Sequence, residues 1–94
     1  MAESVIYKTE KRIDIKTAPK LSADLKQLAD EGKYDVVIDM SETSYISSVG
    51  LRALLTMQKA VNANNGSMLI RGACDSVREI FDVTGFSGFL NLEE

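Results

Sequence analysis

The sequence predicts an α/β protein with a small, mainly parallel sheet of about four strands and three crossover helices. Three observations carry that reading. Segments of strand chemistry alternate with amphipathic ones in the order β-α-β-α-β-α-β, the pattern that right-handed crossovers turn into a parallel sheet. The run Val36-Val37-Ile38 places three β-branched residues in succession, which implies a strand covered on both faces. Residues that start and stop helices fall between these segments: Pro19, Gly32, Asn64-Asn65-Gly66 and Gly85.

Each element has its own signal. Val5-Ile6-Tyr7 begins a first strand that runs to about Ile13. Thr17 is a reasonable N-cap for the first helix, and Pro19 fits its first turn, where a missing N–H costs nothing. Leu21, Leu25 and Leu28 then recur at helical spacing until Gly32 ends the helix. The second strand runs from Tyr34 to Asp39 and leads into a serine-rich loop. Beyond that loop Gly50, Leu54, Met57 and Val61 mark one face of a second helix, widened by Leu51 and Leu55. Arg52, Thr56, Lys59 and Asn62 fall on its wet side, and Asn64-Asn65-Gly66 ends it through their tolerance of positive φ. Met68-Leu69-Ile70 makes a third strand. Ser76-x-x-Glu79 has capping-box spacing, and Val77, Ile80, Phe81 and Val83 form the apolar side of a last short helix closed by Gly85. Phe89 to Leu92 supplies a short final strand. No repeat, linker or low-complexity stretch interrupts the chain, so residues 1–94 are read as one domain.

Composition narrows the function. With 94 residues the chain buries roughly 60–68% of its unfolded surface, enough for one core. The net charge of −3 and the lack of a basic stripe argue against nucleic acid. No apolar run approaches the ~20 residues of a membrane span, and Met1-Ala2-Glu3-Ser4 lacks the basic start and apolar run of a signal peptide, so a cytoplasmic protein is expected. Cys74 is the single cysteine, which rules out an internal disulfide and fits a reducing compartment. There is no histidine, so neither a Ser-His-Asp nor a Cys-His hydrolase is available, nor a His-ligated metal. The glycines, at 32, 50, 66, 72, 85 and 88, form no phosphate loop. No catalytic residue, cofactor or metal is expected.

The serine loop holds the chemistry. Asp39-Met40-Ser41-Glu42-Thr43-Ser44-Tyr45-Ile46-Ser47-Ser48-Val49-Gly50-Leu51-Arg52 leads from a strand into a helix. Unpaired N–H groups and the helix dipole favour negative charge where Ser47 and Ser48 stand. A hydroxyl there is a natural receiver of a phosphoryl group, and Gly50 would let a partner's backbone come close. The plainer reading keeps Ser48 as a helix cap and Ser47 as the cap or a loop hydrogen-bonder. Asp14 is either a cap of the first helix or a partner contact. Asp39 more simply anchors the loop by accepting backbone N–H bonds than binds metal. Cys74 reads as a small buried or half-buried residue, Leu54 and Met57 as core, and Lys8, Lys11, Arg12 and Lys16 as a solvated face. Arg52, one turn into the helix, either stays in water or pairs with an acidic group of a partner.

These residues resemble a known family, the STAS domains of the anti-sigma-factor antagonist type. Asp39-Met40-Ser41 followed by Tyr45-Ile46-Ser47-Ser48-Val49-Gly50-Leu51 is similar to that family's phosphorylation loop. Ile13-Asp14 with Thr17-Ala18-Pro19 and Leu21 resembles its first strand-to-helix junction, and Val77-Arg78-Glu79-Ile80-Phe81 with Thr84-Gly85-Phe86 its third helix and closing turn. The resemblance implies a bacterial partner-switching protein. Dephosphorylated, it would bind an anti-sigma factor that is also a serine kinase. Phosphorylated on Ser48, with Ser47 as the alternate acceptor, it would be released, and a serine phosphatase would reset it. The partner surface implied comprises Asp14, Asp39, Tyr45, Ser47, Ser48, Val49, Gly50, Leu51 and Arg52.

Three departures from the pattern stand out. Ser47 replaces the usual aspartate, and Val49 replaces a small residue. The N-terminal strand is shortened or missing relative to the family, which has two strands before the Asp14 position where this chain has room for one. An open sheet edge would follow, guarded by Glu3, Lys8, Glu10 and Lys11 or used to form a homodimer. The first departure favours an alternative, a STAS subunit that does not switch by phosphorylation, such as those of lipid-transport ATPases, sulfate-type transporters or stress-signalling assemblies. An enzyme with Ser48 as nucleophile lacks a base, and a nucleotide-binding module lacks a glycine-rich loop.

Overall fold

The computed structural model describes residues 4–93 and confirms the α/β class. Strands β1 (Val5–Lys8), β3 (Asp35–Asp39), β5 (Ser67–Arg71) and β6 (Asn91–Leu92) form one parallel sheet in the order β1-β3-β5-β6. A second, two-stranded parallel ladder joins β2 (Arg12–Ile13) to β4 (Tyr45–Ile46). Helices α1 (Ala18–Asp30), α2 (Ser48–Ala63) and α3 (Asp75–Thr84) make the crossovers.

The spatial order of the sheet follows the chain order, so crossovers of one hand all fall on one face. A single core records this. Val36, Ile38, Met68 and Ile70 from the sheet pack with Leu21 and Leu25 of α1, Leu54, Met57 and Val61 of α2, and Val77 and Phe81 of α3. The alternation along β3 and β5 is that of a sheet with one buried face, and Val37 and Leu69 are only half-buried. The expected cover on both faces is therefore corrected. Three β-branched residues in a row suit a one-sided strand here because Val37 lies in the middle of the sheet, among neighbouring side chains.

The expected first strand breaks in two, so two strands precede Asp14 where room for one was expected. After Lys8 the chain turns away: Thr9 is buried, and its hydroxyl donates to the Thr43 hydroxyl at 2.5 Å, with the Asp39 carbonyl 3.3 Å from the same oxygen. Residues 12–13 then pair with β4, a strand hidden inside the expected loop. The expected guard Glu3 lies outside the described residues, while Lys8 is tied to Glu42 at 2.8 Å and Glu10 to Lys20 at 3.8 Å.

Helix ends follow the sequence in part. Gly32 (φ +74°) and Gly85 (φ +81°) take the left-handed conformation after α1 and α3, and Asn65 (φ 58°) does so after α2. Thr17 precedes α1, but its side chain caps nothing there: its hydroxyl donates to the Arg12 carbonyl at 2.7 Å and accepts from the Asp14 N–H at 2.9 Å. The Ser76/Glu79 capping box does not form either, because Cys74 is the cap residue and Ser76 lies inside the helix. Val83, placed on the apolar side of α3, is 80% exposed. The last strand is shorter than expected, since Phe86–Gly88 form a 3₁₀ turn before β6. Among the described residues no helix is long and apolar enough to cross a membrane.

Candidate functional site

The β2–β4 ladder and the start of α2 build the site together. Ser47 is the N-cap of α2, with its Oγ accepting the Gly50 N–H at 3.3 Å and its own N–H bonded to the Ile13 carbonyl at 2.7 Å. Ser48 is the first residue of the helix and is exposed. The two adjacent hydroxyls are thereby separated by role: Ser47 is committed to the cap, and Ser48 faces solvent beside helix N–H groups that lack intrahelical partners. Ser48, Val49 and Arg52 line a shallow surface depression of about 160 Å³. Val49 is 46% exposed and Arg52 is exposed.

The ladder brings Asp14 and Tyr45 to the same place. Arg12 pairs across from Tyr45 and lies over its ring, 4.4 Å from the centroid. Its guanidinium also reaches Asp14 at 3.4 Å. Arg12 stays on the solvated face, as expected, and there also holds Tyr45 and Asp14 together. The Asp14 carboxylate accepts the N–H groups of Lys16 at 2.9 Å and Thr17 at 3.1 Å, which fixes the entry to α1. Those bonds, that of Thr17 above all, hold its carboxyl below the usual carboxylate range, with help from Arg12.

The other expected site residues divide. Gly50 and Leu51 are buried and offer a partner no side-chain surface. Gly50 answers a need of the fold itself, since a Cβ there would stand 2.6 Å from Ile13 Cγ2 and 2.8 Å from Ile46 Cγ1. Asp39 is grouped elsewhere, with Ser41, Lys8 and Arg71. It accepts the Ser41 N–H at 2.9 Å, as a loop anchor would, and Ser41 with those cations keeps its carboxyl low. Cys74 is exposed rather than buried, with its thiol directed at the Thr43 carbonyl at 3.5 Å. Among the described residues no cluster of metal-ligating side chains occurs.

Several participants escape sequence reading. Thr43 is buried and ties the ladder down, donating to the Glu10 carbonyl at 2.6 Å while paired with Thr9. Ile15, at the Asp14 turn, is 75% exposed. An apolar side chain within a polar turn was the available signal for Ile15; for Thr43 there was none, because its partners are 33 and 34 residues away.

Comparison with known proteins bears on the family and the fold. The family model for the STAS domain matches residues 2–94. The "Anti-sigma-B factor antagonist" of Staphylococcus epidermidis is 30% identical over 82 residues, which cover 87% of this chain and 76% of that protein. The anti-sigma factor antagonist SpoIIAA in its unphosphorylated form has the same fold, with a TM-score of 0.77 at 15% identity over 100% of this chain and 82% of that one. A sulfate transporter family protein from Wolinella succinogenes also shares it, with a TM-score of 0.80 at 19% identity over 97% of this chain and 75% of that one.

Proposed function

This chain belongs to the STAS domain family, and from that premise we propose that it is an anti-sigma-factor antagonist whose binding is switched by phosphorylation of Ser48. It works by binding and is not an enzyme. The observation that carries the reading is the division of labour at the start of α2: Ser47 holds the helix while Ser48 stands exposed at its first residue.

The physics suits a switch. A phosphoryl group adds about −1.5 to −2 charge at pH 7. The helix dipole tolerates an anion at that position, so the fold survives. A partner docked over Ser48, Val49, Tyr45 and Asp14 meets a hydrated dianion in place of a small hydroxyl. Burying an unpaired charge costs several kcal/mol, and about 1.4 kcal/mol is already tenfold in affinity. The partner is an anti-sigma factor acting as serine kinase, and a serine phosphatase reverses the step.

Serine in place of the family's aspartate at position 47 fits this account. Serine and aspartate are comparable N-caps, so the helix start is kept while one negative charge beside the acceptor is removed. The same substitution supports the second reading, a STAS interaction subunit that does not switch. One experiment separates them. The chain is incubated with extract from its own cells, with and without ATP, and the modified residue is mapped by mass spectrometry. ATP-dependent addition of one phosphate at residue 48, with loss of a bound protein, is the expected result. Ser48→Ala should stay bound in the presence of ATP, and Ser48→Asp should lose the partner while melting within a few degrees of wild type. Release of Ser48→Ala by ATP moves the acceptor to Ser47, and absence of any phosphate supports the non-switching subunit.

A further inference from the structure

With all three helices on one side, no helix among the described residues covers the opposite face of the sheet. Its side chains fall in rows set by the strand register. The central row is Ile6, Val37, Leu69 and Asn91 across β1, β3, β5 and β6. Ile6 is 60% exposed, and Val37 and Leu69 are half-buried. Two residues further along each strand lie Lys8, Asp39 and Arg71. Glu93, just past β6, completes that row: its N–H bonds the Ile70 carbonyl, and its carboxylate lies 3.6 Å from Arg71. The charges across the four columns therefore read plus, minus, plus, minus.

We propose that two copies of this chain associate through this helix-free face, about a twofold axis that runs parallel to the strands between β3 and β5. Such an axis exchanges β1 with β6 and β3 with β5 while leaving each row in place. Lys8 then meets the partner's Glu93, and Asp39 meets the partner's Arg71, each twice by symmetry. Val37 opposes the partner's Leu69 at the centre. Every charge in the row finds its opposite across the axis, in addition to the Lys8–Glu42 and Arg71–Glu93 pairs within each copy. The other in-plane twofold axis, perpendicular to the strands, would set Asp39 against the partner's Asp35, a repulsive pair that rejects that arrangement. Sheets packed face to face keep their strands aligned within about 30° and stand about 10 Å apart, which these side chains can fill.

Area sets the strength. Four strands about 4.8 Å apart and about five residues long present roughly 300–400 Å² per copy. A standard stable interface buries about 800 Å² per partner, so this dimer is weak and forms only at high concentration. It leaves the start of α2 free in both copies, because the helices lie on the far side of each sheet.

Sedimentation equilibrium of the full chain from micromolar to millimolar concentration tests the proposal. The wild type should approach twice the monomer mass at the upper end. Leu69→Lys, which puts a cation at the centre, should remain monomeric with an unchanged circular dichroism spectrum. Lys8→Glu should raise the dissociation constant about tenfold, and adding Glu93→Lys should bring it back, because the exchanged charges again oppose each other. A wild type that is monomeric at millimolar concentration overturns the proposal. So does a Leu69→Lys variant that associates like wild type, which would place the contact at the open edge of β1. Failure of the Glu93→Lys exchange to rescue Lys8→Glu overturns the stated axis. Should Leu69→Lys fail to fold, the surface charge pair still decides.

Discussion

The four-stranded sheet and the two-stranded β2–β4 ladder are both parallel, yet they are held by different forces. The sheet rests on burial: Val36, Ile38, Met68 and Ile70 each lie beneath helices and are at most 2% exposed. The ladder is two residues deep and turns only Ile13 and Ile46 inward. Its remaining support is polar and individually placed: the Thr9–Thr43 pair, the Thr43–Glu10 and Thr17–Arg12 bonds, and the Asp14 turn. A structure that small cannot stand on hydrophobic burial alone. The candidate site rides on the ladder, so its geometry depends on a few hydroxyls and carboxylates rather than on the bulk of the core.

Mutations can break or sharpen that contrast. Leu54→Ala, at a fully buried position under the sheet, should cost about 2–5 kcal/mol in urea unfolding. Thr43→Val keeps the volume but leaves the Glu10 carbonyl and Thr9 hydroxyl short of a partner, and should cost about 1–3 kcal/mol. Hydrogen exchange should show that loss in residues 9–14 and 43–47 while β3 and β5 stay protected. Equal loosening of both regions would mean that ladder and sheet form one cooperative unit.

Smaller effects divide the two serines. Ser47→Ala removes the cap and should cost about 0.5–1 kcal/mol, whereas Ser48→Ala should fall within about 0.5 kcal/mol of wild type in the same titration. A reversal of that order would make Ser48 the structural hydroxyl and remove the support for its role as acceptor. The smallest effect is the pH dependence of the Asp14 turn. Its carboxyl is held low in the folded state, so its contribution is present above the ordinary aspartate range and lost as pH falls through the lowered folded value. Thermal unfolding measured against pH should fall less steeply on the acid side in Asp14→Asn than in wild type.

Sequence pattern revealed the sheet and missed most of the ladder, for the same physical reason. Apolar periodicity reports burial, so Leu21, Leu25, Leu54, Met57, Val61 and the β3 and β5 strands stood out. Two-residue strands carry no period, and residues 12–13 and 45–46 become strands only because each finds the other across more than thirty positions. The serine loop was legible as a helix start because capping is local. That Ser47 rather than Ser48 does the capping depends on where α2 begins. Gly50 looked like an opening for a partner, but Ile13 and Ile46 occupy the space that a side chain would take. The mistaken cover on both faces of β3 came from reading three β-branched residues without knowing on which side the crossovers fall.

The spatial order of the main sheet also bears on how the protein is made. Each new strand joins the edge left by the one before it in the sequence, and none must wedge itself between two already paired. The sheet can therefore close from β1 to β6 without undoing any pairing already made.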